Sequence, residues 1–483
     1  MVTIYTLTSS LHDPKAVEAA TVAFLSPLGL DYRYVGDDFS SYGSGEGLEL
    51  IFVRTGGTEG LFRDFLSELY RRGKHGHCCH GGHGEGHCGG HGEGHCHHHE
   101  AEDANAGWHY NEGAEEDGAH HSCHGEDHEE AGCGCHGGHH GGCHHGGPLE
   151  RPFYLLASPT SNSLAASMEI LSFLRLLGLK GEILHGNADY LRERICALDA
   201  AETALKSFSG KRLGIVGQPS DWLISSFCDA DAVLAKTGVE LEYIPIERLL
   251  EVYESTPAGP VDDLLKVPCR EGTGEKVASA LEGADRIYRA LKQIISEKGL
   301  AGLTLRCFDL LSSVGNTGCL ALARLNSEGF VATCEGDIPA MLSMMLARAV
   351  AGESGFQCNA AHMDPASGEI VFAHCTLPLS MASSYCFDTH FESGIGVGIH
   401  GVLPEGPVTL FKVSGDLGRS FVAPGKIVGN SYETSLCRTQ VVVTVDDPAV
   451  IRDYFLSDPI GNHHILIPGN HVATLRALTE LLV

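Results

Sequence analysis

Two short runs bring carboxylates and imidazoles together: Cys334-Glu335-Gly336-Asp337 and Gly461-Asn462-His463-His464. Carboxylate oxygens and imidazole nitrogens form a mixed O/N donor set for a divalent cation. Paired carboxylates beside such a cation can serve as general acid and base. A third acid, Asp309, closes the strand-like run Leu303–Phe308, where ligands of open α/β layers collect. Taken singly, each of these acids also reads as a helix cap. His463 and His464 are neighbours ahead of the apolar run Ile465-Leu466-Ile467, so at most one of them is expected to enter a site. His374, in Phe372-Ala373-His374-Cys375, is a weaker candidate.

The elements that must position these residues are legible as alternation. Leu48–Val53 reads as a buried strand, followed by the turn 54–60 and a helical pattern over Leu61–Leu69. The same order returns at Phe153–Ala157 with a helix over Leu164–Leu177, and at Leu213–Gly217 with a helix starting near Trp222. Arg192–Ser209 reads as a connecting helix. Another unit runs from the strand Val239–Pro245 through the helix Val277–Ile295 to the strand Leu303–Phe308. Strands alternating with helices predict parallel α/β layers. After about residue 331 short β-branched runs separated by Gly/Pro turns replace the alternation: Ile370–Ala373, Gly396–Ile399, Val408–Val413, Lys426–Val428 and Gln440–Val445. These predict a mainly antiparallel barrel or sandwich. The expected organisation is an N-terminal α/β domain (1–188), a second Rossmann-like α/β domain (189–330) and a C-terminal β-rich, barrel-like domain (331–483).

Residues 74–147 interrupt the first domain with a His/Cys/Gly-rich segment that holds 20 of the 29 histidines and 8 of the 18 cysteines. His83, His87, His91 and His95 recur every fourth residue, but each intervening Gly costs a helix roughly 1 kcal/mol relative to Ala. The segment is therefore expected to be disordered. Its imidazoles and thiols, among them Cys78, Cys79, Cys133 and Cys135, suit Zn2+ or Ni2+, although no spacing defines one closed site. The other ten cysteines lack disulfide spacing and read as reduced thiols.

Composition narrows the function classes. A formal charge of −29 argues against nucleic acid and against anionic membrane surfaces as partners. Apolar residues make up 43% of the chain, enough for several cores. Met1–Tyr5 lacks a basic n-region, and no uncharged apolar run reaches the roughly 18–20 residues that span a bilayer. The expectation is a soluble cytoplasmic protein.

In order and spacing, Arg306-Cys307-Phe308-Asp309, Gly318-Cys319-Leu320-Ala321-Leu322, Cys334-Glu335-Gly336-Asp337, Phe391-Glu392-Ser393-Gly394 and Gly461-Asn462-His463 resemble the L-fucose isomerase-like family, from about residue 213 to the end. The resemblance implies two α/β domains followed by a β-rich domain, and a Mn2+-dependent interconversion of aldose and ketose sugars. It implies that Asp309 and Asp337 are acid/base groups and metal ligands, with Asp309 standing where fucose isomerases have a glutamate. It further implies His463 as the histidine ligand, and a trimer or hexamer of like chains. Asn462 aligns with an asparagine lining the sugar site; Glu335, Glu392 and His374 are taken as substrate contacts. Donor type alone leaves Mg2+ or Co2+ open beside Mn2+. The competing reading is a Zn2+/Ni2+-buffering protein on a non-catalytic isomerase scaffold.

Overall fold

The computed structural model describes residues 1–44, 47–75, 149 and 151–483. The His/Cys candidates Cys78, Cys79, His83, His87, His91, His95, Cys133 and Cys135 lie outside the described residues.

The first layer is a parallel five-stranded sheet: β1 (Val2–Leu7), β2 (Tyr32–Gly36), β3 (Glu49–Val53), β4 (Phe153–Ala157) and β5 (Gly181–Leu184), in the order β2-β1-β3-β4-β5. Its inner strands are almost wholly buried and mostly apolar, as a parallel sheet covered on both faces requires. The second layer is also parallel: β6 (Arg212–Val216), β7 (Glu240–Ile244), β8 (Gly302–Leu305) and β9 (Val331–Cys334), in the order β7-β6-β8-β9. It draws its last strand from beyond residue 330. The carboxyl ends of β6, β8 and β9 lead into 217–221, 306–309 and 335–337, which carry most of the acids singled out above.

The expected helix near Trp222 does not form. The segment 218–229 is instead a loop of short turns, in which the Leu223 amide bonds to the Ser220 carbonyl and the Ser226 amide to the Leu223 carbonyl. The helix begins only at Ala230, where Asp229 caps the Ala232 amide at 2.9 Å.

The C-terminal region is β-rich, as expected. Strands β10 (Phe356–Asp364) and β11 (Glu369–His374) come first, and β12 (Ser384–Asp388) and β13 (Gly398–Val402) form a separate antiparallel pair. Then come β14 (Gly406–Val413), β15 (Ser420–Ser431), β16 (Thr439–Thr444) and β17 (His463–Pro468). The order β10-β11-β16-β15-β14-β17 closes into an antiparallel barrel, because β17 pairs with both β14 and β10. Phe356, Phe372, Leu410, Val441, Val443 and Leu466 belong to its buried core.

The helix Ile338–Ala351 ties the second sheet to the barrel. Ile338 through Ala347 are all buried, and Met341, Leu342 and Met345 share a core with Phe411, Val413, Ile465 and Ile467. Burying so continuous an apolar helix fixes its first residue, and with it Asp337, against the ends of β14 and β17. Among the described residues no helix is long and apolar enough to cross a membrane.

Candidate metal centre

The turn after β9 is the pivot of the site. Glu335 has φ of 67° and Gly336 φ of 69°, so two successive residues are left-handed. For a glutamate that conformation costs of order 1 kcal/mol or more and persists only where the surroundings enforce it. Here the Gly336 amide donates to the Leu305 carbonyl at 3.0 Å, and the Glu335 carbonyl accepts from the Ser220 amide at 2.9 Å. A side chain at 336 would meet the Gln218 carbonyl oxygen at 2.5 Å, so glycine is required there.

The turn aims the Glu335 carboxylate at two histidines. Its Oε1 lies 3.4 Å from His463 Nε2 and 3.8 Å from His374 Nε2. The donor atoms of Glu335, His374 and His463 all lie within 4.8 Å of one another. His374 ends β11 and His463 begins β17, both flanking β10, so closure of the barrel brings them together with ring centroids 5.4 Å apart. His374 Nδ1 shares a 2.8 Å hydrogen bond with the Thr376 hydroxyl, which turns Nε2 toward Glu335. Glu335 Oε2 accepts from Trp222 Nε1–H at 2.6 Å. Burial alone would push the Glu335 carboxyl up, but His463 and His374 outweigh it and hold it far below the usual carboxylate range.

Asp337 stands behind this group. Its Oδ1 caps the helix by accepting from the Ala340 amide at 2.8 Å, and its Oδ2 accepts from His463 Nδ1–H at 2.9 Å. Lys412 Nζ lies 3.7 Å from the same Oδ2, and both side chains are fully enclosed. Burial raises the Asp337 carboxyl, while Lys412 and His463 reverse the effect and hold it below its ordinary value. Burial also disfavours the charged form of His463, yet Glu335 and Asp337 drive its pKa up to about 9. His463 Nε2 is buried and has no hydrogen-bond partner among the described residues.

One carboxylate and two imidazoles, with an unsatisfied buried nitrogen among them, fit a divalent transition cation. The carboxylate–imidazole contact behind His463 is the usual way a ligating histidine is oriented.

The other sequence candidates fall elsewhere. Asp309 is half-buried, opens the short helix Asp309–Ser313, and accepts from Arg306 Nε at 3.0 Å; it is not a member of the donor group. Arg306 also binds Asp221. Asn462 is exposed and donates to Asn359 Oδ1 at 3.3 Å. Glu392 is exposed, its charge acting on His390. His464 turns away from His463: its Nε2 accepts from the Tyr454 hydroxyl at 2.9 Å, and burial lowers it to about 3.

Sequence reasoning missed Trp222, Phe308, His390 and Lys412. Trp222 packs edge-on against Phe308 (4.7 Å), and Phe308 against His390 (5.5 Å), forming an aromatic wall beside Glu335. Lys412 had a readable signal. It shares a strand face with Val408 and Leu410, where a lysine is out of place.

No family model matches the chain. Over 273 residues it is 24% identical to the sulfoquinovose isomerases of Priestia aryabhattai and Priestia megaterium (strain ATCC 12872 / QMB1551). The match covers 52% of this chain and 59% of each relative, so the chain spans about three-fifths of the length of these curated relatives.

Proposed function

We propose that the chain is a divalent-metal-dependent aldose–ketose isomerase in which Glu335, His374 and His463 hold the metal. The observation that carries this reading is the convergence of three donor atoms within 4.8 Å of one another, one of them a buried nitrogen that makes no hydrogen bond among the described residues. Similarity to sulfoquinovose isomerases supports the reaction class.

A divalent cation held by Glu335, His374 and His463 would supply positive charge for the oxyanion that develops on an open-chain sugar. The chain's own groups do the rest. Trp222 fixes Glu335 Oε2 and, with Phe308, offers an apolar face to the sugar. Asp337, with 0% exposure, orients His463 and does not meet substrate. His390 is held below its ordinary pKa by burial, with Nδ1 bonded to the Ser393 hydroxyl at 3.1 Å, and is the group we assign to carry a proton between adjacent carbons. The acid/base role that resemblance gave Asp309 and Asp337 passes in this proposal to His390. The metal is Mn2+, with Mg2+ and Co2+ the alternatives, and the chains associate as a trimer or hexamer, which light scattering measures.

The test is turnover of L-fucose, L-arabinose, L-rhamnose and sulfoquinovose by purified protein with added Mn2+. Glu335→Gln is expected to lose at least a hundredfold in kcat/KM. Turnover unchanged by that substitution, or no turnover of any aldose, removes the proposal.

A second reading rests on the 20 histidines and 8 cysteines of residues 74–147: a Zn2+ or Ni2+ buffer on an idle scaffold. It requires several tight equivalents that vanish on deletion of 74–147, with no sugar turnover before or after.

A further inference from the structure

Lys412 carries a buried amine with almost nothing to bind; burial works against its charge and Asp337 supports it. It sits in β14 between Phe411 and Val413, 1% exposed, and its Nζ has no hydrogen-bond partner among the described residues. Its ionic contact is Asp337 Oδ2 at 3.7 Å, beyond hydrogen-bonding range. Val408 and Leu410, on the same strand face, are buried apolar side chains, so packing alone would be served by leucine or methionine at 412. An enclosed ammonium is costly in stability unless something else requires it.

The surroundings show what requires it. Asp337 Oδ2 has two neighbours, His463 Nδ1 and Lys412 Nζ, while Oδ1 is occupied by the helix cap. We propose that Lys412 is a positioning residue of the metal centre: its charge pins Asp337 Oδ2 against His463 Nδ1–H, so that the bare Nε2 faces Glu335 and His374. The three residues come from three elements, namely β14, the start of the helix Ile338–Ala351, and β17. The line Lys412–Asp337–His463 thus runs from the barrel wall through the helix cap to the ligand. The inference rests on the metal reading above and adds to it a residue that touches neither metal nor substrate.

The test uses the full-length chain and Mn2+, with Glu335→Gln as the control for equivalents held elsewhere on the chain. Free Mn2+ is followed by electron paramagnetic resonance during titration. The wild type is expected to hold one equivalent that Glu335→Gln loses. Lys412→Met is expected to weaken that equivalent 10- to 100-fold, the usual effect of removing an outer partner of a ligating histidine. In an Asp337→Asn background, Lys412→Met adds no further loss, because its effect passes through Asp337. That pair of variants also serves if Lys412→Met alone fails to fold, since the double variant leaves no unpaired buried charge. Affinity within twofold of wild type in Lys412→Met, or additive losses in the double variant, overturns the role of Lys412 while the metal reading stands. Retention of the Mn2+ equivalent in Glu335→Gln overturns both.

Discussion

His463 donates Nδ1–H to Asp337 Oδ2 at 2.9 Å, and both side chains are fully buried. The hydrogen bond divides the labour between the two acids of the Cys334–Asp337 turn: Asp337 faces the protein, Glu335 faces the site.

Asp337→Asn therefore damages more than one contact. It strips the charge from a buried carboxylate and leaves the Lys412 ammonium enclosed and unpaired. Breaking a buried ion pair from one side costs about 3–5 kcal/mol. Urea denaturation of the metal-free protein is expected to show a loss of that order. A loss below about 1 kcal/mol contradicts the arrangement.

The stability of the metal-free protein is expected to fall as the solution turns alkaline. His463 is raised from an ordinary value near 6.5 to about 9. A group raised on folding contributes its full stability below the unfolded value, and the contribution disappears as pH rises through the folded value. The window is about pH 6.5 to 9, and the contribution is on the order of 3 kcal/mol. Glu335 acts with the opposite sign, its contribution disappearing as pH falls below the ordinary carboxylate range. Chemical denaturation across pH 6 to 10 measures the alkaline arm, and His463→Gln is expected to flatten it.

Asp309→Asn separates two placements of this acid. In the structure Asp309 is held by Arg306 and is not among the three converging donors. Mn2+ affinity is expected to stay within twofold of wild type, with a stability loss of about 1 kcal/mol or less for a partly exposed pair. A tenfold loss of affinity would restore it as a ligand.

Gly336→Ala tests how tightly the turn is held. The new Cβ would meet the Gln218 carbonyl oxygen at 2.5 Å and Pro219 Cα at 2.9 Å, both backbone atoms, at φ of 69°. Gly394 has a similar φ of 65°, but a methyl group added there would have nothing within 4 Å. Gly394→Ala is expected to cost about 1 kcal/mol, the conformational penalty alone, and Gly336→Ala about 3 kcal/mol or more. Equal melting temperatures for the two variants would contradict this.

The strands visible in the sequence were those whose physics is local. Leu50–Val53 and Phe153–Ala157 are unbroken apolar runs, and both lie in the inner strands of the first sheet. The strands β2 and β5, on its margins, are half exposed and carry Tyr, Arg, Gly and Glu, so no pattern marks them. The apolar residues Trp222, Leu223, Ile224 and Phe227 imitate a helix, but Ser225 and Ser226 are weak helix formers and Asp229 starts the helix later. At the site, the two polar runs were readable, while the contacts that join them were not. Asp337 was legible as a cap, and it is one; what the spacing concealed is that capping sends it inward to His463. His374 was readable only as a weaker candidate and, by resemblance, a substrate contact, because only barrel closure, a long-range event, sets it beside β17.

The left-handed glutamate also bears on how this protein could change. Asparagine or glycine would sit at 335 with less backbone conflict, and either would delete a donor from the cluster. A laboratory selection for heat tolerance alone would be drawn to this position, where backbone comfort and the donor cluster are opposed, and would return sturdier proteins with one donor fewer.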